Sequence, residues 1–303
     1  MEELTLPDGL TSRVLTHDDA QAVYDLMAAQ EQADIGKVEI ELADIVSDWA
    51  RPSRDLAGTT VGVQDGARIV AYAEITGHDR GFCAVHPDYR RRGIGTALAG
   101  WMQATIRGQG GAEYGSPVPQ GSAGDLLLEK LGYRIRWTSW VLDLPEGAQI
   151  QHRDLPEGYV VRTAEPAEYP AVHDVIEDAF LEWSVRDRES YEDFEASVLG
   201  RPGFEPWNLR VVVDGTGDVV GAAFVLMYGD PATEAFIGQL AVRRDQRHRG
   251  LAQALLVDAF AEGRSRGATR QSLSTDSRTG ALGLYQKVGM EVGDVWLNRG
   301  ITV

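Results

Sequence analysis

The order of apolar and polar positions divides the chain into two similar runs of elements. In the first, Ser12 to Leu15 reads as a short strand, followed by a helix whose apolar residues Ala22, Leu26 and Met27 recur at helical spacing. In the second, a strand at Tyr159 to Arg162 leads into Val172, Val175, Ile176 and Phe180. The stretches VGVQDGARIVAYAEI (from Val61) and LRVVVDGTGDVVGAAFVLM (from Leu209) each hold two apolar runs parted by a Gly/Asp turn, which predicts a hairpin. Each hairpin precedes a strand ending in Ala-Val, an arginine-glycine loop and a helix rich in Ala and Leu. A further strand (Ala112 to Gly115; Arg270 to Ser274), a short helix and terminal strands complete each run. Strands alternating with helices after an antiparallel opening predict a mixed α/β sheet covered by helices.

The two runs are copies. AVHPDYRRRGIGTAL at Ala84 to Leu98 aligns with AVRRDQRHRGLAQAL at Ala241 to Leu255 at an offset of 157 residues. At that offset Val85/Val242, Arg90/Arg247, Arg92/Arg249, Gly93/Gly250, Lys130/Lys287 and Gly132/Gly289 are identical, with no gap. Upstream, AVYDLM from Ala22 aligns with AVHDVI from Ala171 at an offset of 149. A repeat of this length means two domains rather than a solenoid. The expected division is 1–148 and 149–303, with a linker near residues 145 to 158, where Pro145, Gly147, Pro156 and Gly158 punctuate a polar stretch.

Composition narrows the function classes. The 303 residues are 43% hydrophobic and 25% charged, which suits two packed cores and excludes disorder. No run of 18 apolar residues occurs and the N-terminus is acidic, so a cytoplasmic protein with no membrane partner is expected. The lone cysteine, Cys83, has no disulfide partner, and no Cys/His spacing suits a metal. A net charge of −17 repels nucleic acid, so no nucleic-acid partner is expected. Two fused copies can imitate a dimer, so the expected state is a monomer or weak homodimer.

Against that acidic background the basic loops stand out. Arg90, Arg91, Arg92, Gly93, Ile94, Gly95 and Thr96 follow a strand and open a helix, as do Arg247, His248, Arg249, Gly250, Leu251, Ala252 and Gln253. A helix N-terminus offers unpaired amides and the positive end of its dipole, and glycine lets an anion approach closely. This composition describes a diphosphate cradle that is neither a P-loop nor a dinucleotide fingerprint.

RxxGxG/A after a strand ending in Ala-Val resembles the acetyl-CoA loop of the GNAT N-acetyltransferase superfamily. TGALGLYQKVGM at Thr279 to Met290 resembles the second half of that family's signature. The resemblance implies an α/β (mixed) fold of two tandem GNAT-like domains, each a mostly antiparallel sheet flanked by helices with a splayed central parallel pair. It implies acetyl-CoA as cofactor, with Leu240, Ala241 and Val242, and Ala84 and Val85 in the first copy, beside the loops on the cofactor-binding strands. It implies direct transfer of an acyl group to a small-molecule amine acceptor. Tyr285 stands where the family has its proton donor to the leaving thiolate, whereas the first copy has Leu128 there, so the second copy is expected to be catalytic and the first degenerate. A protonated amine must first lose a proton. Glu234 is the nearest carboxylate upstream, Asp276 the next, and water is the third choice. Trp183 and Trp207 are candidates to line the acceptor side. The reading of a different class is a non-catalytic acyl-CoA-binding or sensing protein.

Overall fold

The computed structural model describes residues 4–229 and 231–303. The chain separates into two units, the first formed by residues up to Thr138 together with Val295–Val303, the second by Ser139–Asp294. The division therefore lies at 138/139 rather than at the expected 148/149, and the end of the chain belongs to the first unit.

The first unit begins with β1 (Thr11–Arg13), α1 (Ala20–Ile35), α2 (Leu42–Trp49) and the single turn α3 (Leu56–Thr59). The strands β2 (Thr60–Asp65), β3 (Arg68–Ile75) and β4 (Gly81–Val85) follow, then α4 (Ile94–Gly108), β5 (Glu113–Pro119) and α5 (Ala123–Lys130). Strands β1 to β4 pair antiparallel in chain order. β3 is buried along nearly its whole length because helices cover both faces of the sheet: Ile69 and Tyr72 pack with α1 and α2, and Val70, Ala73 and Ile75 pack with α4. A parallel bridge joins β5 to the residue just before β4, Gly115 with Arg80.

β6 (Arg134–Asp143) crosses from the first unit into the second, which continues with β7 (Val160–Thr163), α6 (Tyr169–Phe180) and the short α7 (Tyr191–Phe194). Next come β8 (Leu209–Val213), β9 (Val219–Tyr228), β10 (Glu234–Val242), α8 (Leu251–Ser265), β11 (Arg270–Asp276) and α9 (Leu282–Lys287). β7 to β10 are antiparallel neighbours, β11 runs parallel to β10, and residues 139–143 of β6 cover the far edge of β11. β12 (Glu291–Thr302) ends the chain, and its residues Trp296–Thr302 pair with β5 in the first unit. In both units the strand that closes the sheet thus comes from the other half of the sequence.

Both hairpins form where the Gly/Asp turns predict them. α2 was not among the predicted elements, although Leu42, Ile45, Val46 and Trp49 have helical spacing. β5 and β11 run to Pro119 and Asp276, past the expected Gly115 and Ser274.

Candidate functional site

A gap opens in the sheet of the second unit. Ile237 is the last β10 residue in register with β11, opposite Leu273. Gly238 marks a bulge, with the register against β9 shifting between Ile237 and Gln239, and a bulge bends a strand away from its neighbour. Beyond it residues 239–242 pair with β9 alone. The Arg243 N–H donates to Val220 O at 2.9 Å, and successive amides of a strand point to opposite edges, so the amides of Val242 and Leu240 point into the gap. In the first unit the Val85 N–H has the same direction, because the His86 N–H donates to Val70 O. There it is already used, donating to Gln30 Oε1 at 2.8 Å. Ala179 matches Gln30 in the second copy and cannot accept such a bond.

The cradles are built alike. Gly93 (φ 88°) and Gly250 (φ 81°) are the left-handed N-caps of α4 and α8, and Arg91 (φ 62°) and His248 (φ 64°) are left-handed too. Two left-handed residues so close together turn the backbone into a concave nest, a conformation that costs a non-glycine residue about 1–3 kcal/mol. The first helical bonds run from Ala97 N–H to Gly93 O and from Ala254 N–H to Gly250 O. The amides of Ile94, Gly95 and Thr96, and of Leu251, Ala252 and Gln253, therefore have no acceptor within their helices. Ile94 and Leu251 bury their side chains, so only their amides face an anion.

The arginines divide by task. Arg90 makes a bidentate pair with Asp34 at the end of α1, and Arg247 makes one with Glu182 just past α6. Both first arginines of the loops, expected on the cofactor side, thus tie the loop to a carboxylate at or just past the first long helix of their unit. Arg92 lies over the Tyr89 ring at 4.6 Å, and Arg249 donates to the Tyr159 hydroxyl at 3.0 Å. Linker residues also reach the second cradle: Gln253 Nε2 donates to Gln151 O, and the Arg153 Cδ would lie 3.0 Å from a Cβ placed on Gly250. Nothing lies within 4 Å of the corresponding point on Gly93. Nothing local in the sequence marks Arg153, Asp34 or Glu182, which meet the loops from 56 to 97 residues away.

Tyr285 sits on α9 with 9% of its surface exposed. Burial pushes its phenol up to about 12, so it carries its proton throughout the neutral range. The hydroxyl makes no hydrogen bond among the described residues and is not one of the buried polar atoms lacking a partner, so it meets open space. Leu128, its counterpart on α5, packs into the apolar core of the first unit.

The carboxylates named as bases are engaged elsewhere. Glu234 stands at the closed end of the parallel pair, accepting from Arg270 Nη1 at 2.7 Å and from Ser272 Oγ. No hydrogen bond joins it to Tyr285. Asp276 accepts from the backbone and guanidinium of Arg278, whose cation lies over Trp183 at 5.0 Å. Gln239, beside the bulge, has a buried Oε1 with no partner. Trp207 is core, capped by Arg266 at 4.0 Å. Burial holds the Cys83 thiol up to about 12, which leaves it a small apolar group rather than a nucleophile. Among the described residues no helix is long and apolar enough to cross a membrane, and no cluster of His, Cys, Asp or Glu suits a metal ion.

Residues 169–290 match the acetyltransferase (GNAT) family, and residues 57–135 match an acetyltransferase (GNAT) domain. Over 247 residues the chain is 31% identical to a mycothiol acetyltransferase of Salinispora arenicola, with 76% of each protein covered. Over 294 residues it is 26% identical to a mycothiol acetyltransferase of Thermobispora bispora, covering 90% of this chain and 93% of the relative. A GCN5-related N-acetyltransferase from Sphaerobacter thermophilus superposes with a TM-score of 0.73 at 27% identity, covering 98% of this chain and 97% of that one. A tandem GNAT protein from the clavulanic acid biosynthesis pathway shares the fold, with a TM-score of 0.73 at 20% identity and 97% and 98% of the two chains covered. The chain belongs to the GNAT acetyltransferase family, whose cofactor is acetyl-CoA, and it is a tandem member with one such domain in each half.

Proposed function

We propose that the second unit transfers the acetyl group of acetyl-CoA to a primary amine of a small molecule by direct attack in a ternary complex. The residues present fit the cofactor: helix-start amides with no acceptor in their helix, a left-handed glycine without a Cβ, and the Arg153 cation beside it. When bound, acetyl-CoA supplies an acyl group activated as a thioester. Amides of Leu240, Ala252 and Gln253 orient it, and the Leu240 and Val242 amides in the gap are placed to stabilise negative charge developing on a carbonyl oxygen. Tyr285 gives its proton to the departing thiolate. Gln239 Oε1 is a ready acceptor for an incoming amine N–H, although an amide takes up no proton at neutral pH. With Glu234 and Asp276 held by arginines, the amine loses its proton to water in the gap.

The observation that carries this reading is the protonated, unpartnered Tyr285 in the copy whose strand amides are free, set against Leu128 and the Gln30-capped Val85 in the other. The name of the relatives makes an amine precursor of mycothiol one acceptor to test. The experiment is CoA release from acetyl-CoA over a panel of primary amines, with wild type and Tyr285→Phe. Turnover that collapses in the variant while cofactor binding stays intact supports the assignment. Cofactor binding with no turnover on any amine would establish the sensing alternative.

A further inference from the structure

Residues 144–159, which follow β6, form no helix or strand, and part of this linker lies along α8. Between the two is a cleft of about 240 Å³. Its floor is apolar, built from Ile150, Val257 and Phe260, of which Ile150 and Phe260 are buried. Its rim is polar, with Gln149, Gln151 and Arg264, all exposed. Arg264 stands on the last turn of α8, and its guanidinium makes no hydrogen bond or ion pair among the described residues. The side-chain amides of Gln149 and Gln151 are equally unengaged there.

Charge and the internal repeat both single the cleft out. The chain carries 46 acidic residues, yet no carboxylate is among the described residues that line it, whereas an arginine and His152 are. Such a surface favours an anion. At the offset of 157 residues Arg107 matches Arg264, but Gly100 and Gln103 stand where the second copy has Val257 and Phe260. Gln103 is spent on the Tyr133 hydroxyl, to which it donates at 2.9 Å. The arginine is thus common to both copies, and the apolar floor beside it belongs to the second alone. The linker strip that walls the cleft is also the one that reaches the second cradle, because Gln151 O accepts from Gln253 Nε2 at 2.7 Å and Arg153 flanks Gly250.

We propose that this cleft binds a small organic carboxylate, its –COO− on the Arg264 guanidinium and its short apolar body on Ile150, Val257 and Phe260, and that the filled cleft tightens cofactor binding at the second cradle. Guanidinium and carboxylate match as a two-bonded fork, and the Gln149 and Gln151 amides add donors. The volume suits a ligand of about eight non-hydrogen atoms, below the usual range for drug-sized pockets. A ligand that holds residues 149–152 on α8 also holds Arg153 beside Gly250. Ligand and cofactor therefore favour one position of the linker, and each raises the affinity for the other. The coupling rests on the reading of Gly250 as the cofactor cradle, whereas the carboxylate site stands apart from it.

The test is calorimetric titration of the full chain with sodium hexanoate, with 1-hexanol as the uncharged control. Hexanoate is expected to bind and the alcohol to bind about tenfold or more weakly. Arg264 is exposed and unpaired among the described residues, so Arg264→Gln spares the fold. It should weaken hexanoate about tenfold or more and leave hexanol unchanged. Val257→Trp, which fills the cleft from the helix side, should abolish binding of both. CoA titrated in saturating hexanoate should bind about threefold or more tightly than without it, and Arg264→Gln should remove that gain. No heat with wild type, equal binding of acid and alcohol, or hexanoate affinity unchanged by Arg264→Gln would overturn the site. CoA affinity indifferent to hexanoate would overturn the coupling. A chain that binds hexanoate but no CoA would refute the cradle reading, and the coupling with it, while the carboxylate site stood.

Discussion

Arg247 grips Glu182 through two nearly parallel hydrogen bonds, Nη1 to Oε2 at 2.8 Å and Nη2 to Oε1 at 2.6 Å. Arg90 repeats the arrangement with Asp34, at 2.8 and 2.9 Å. We propose that this motif arginine acts as a strut, fixing where the cradle amides point. About a third of each partner in the Arg247 pair is exposed, so its stability contribution is expected at about 1 kcal/mol or less. Glu182→Ala should leave the melting temperature almost unchanged and weaken CoA binding several-fold by calorimetry. The exchange Glu182→Arg with Arg247→Glu should restore much of that affinity. Failure of the exchange would mean that Arg247 itself touches phosphate.

Arg153 is the linker residue that reaches the second cradle. It is a cation beside the proposed diphosphate site, so Arg153→Ala is expected to weaken CoA binding about three- to tenfold and to flatten its dependence on salt. Tighter binding in the variant would instead identify the arginine as an obstruction.

Tyr285→Phe should lower kcat by about 10²-fold or more, the usual scale of a lost general acid, with little change in CoA affinity. The pH dependence has a definite sign. The folded phenol is raised from its ordinary 10.0 to about 12, so its proton is retained across the neutral range and well into base. Its stability contribution is complete below pH 10 and is lost as pH rises through about 12. An alkaline fall in kcat below about pH 10 would have to come from another group.

Arg299 on β12 is 6% exposed and bonds Asp125, the Tyr133 carbonyl and Glu129 in the first unit. Asp125, also buried, loses its cation in Arg299→Met. Breaking a buried pair on one side costs about 3–5 kcal/mol. Urea unfolding should show a loss of that size, and the double variant Arg299→Met with Asp125→Leu should recover part of it.

The chemistry most legible in the sequence is the part held in short segments. Gly93 and Gly250 announce their left-handed caps because identical residues recur at one offset, and the amides they expose follow from helix geometry alone. Tyr285 and Leu128 were comparable for the same reason. Long-range pairing was not legible. Nothing near Glu182 says that Arg247 returns to it, and nothing near Glu234 says that Arg270 and Ser272 will hold it four residues before the gap opens. The helical spacing from Leu42 to Trp49 is legible in the sequence, as is a glutamate inside the apolar run of β3.

The closing strand of the first unit lies at the end of the chain. At about 5–20 residues per second, a ribosome takes on the order of ten seconds to make the intervening second copy, and β5 waits that long with a bare edge. Pro117 and Pro119 lie on that strand, opposite Asn298 and Trp296. Gly115 N–H donates to Asp79 O whereas Gln120 N–H donates to Val295 O, so the two prolines fall on the edge facing β4 and the waiting edge keeps its donors and acceptors, an open template until β12 emerges.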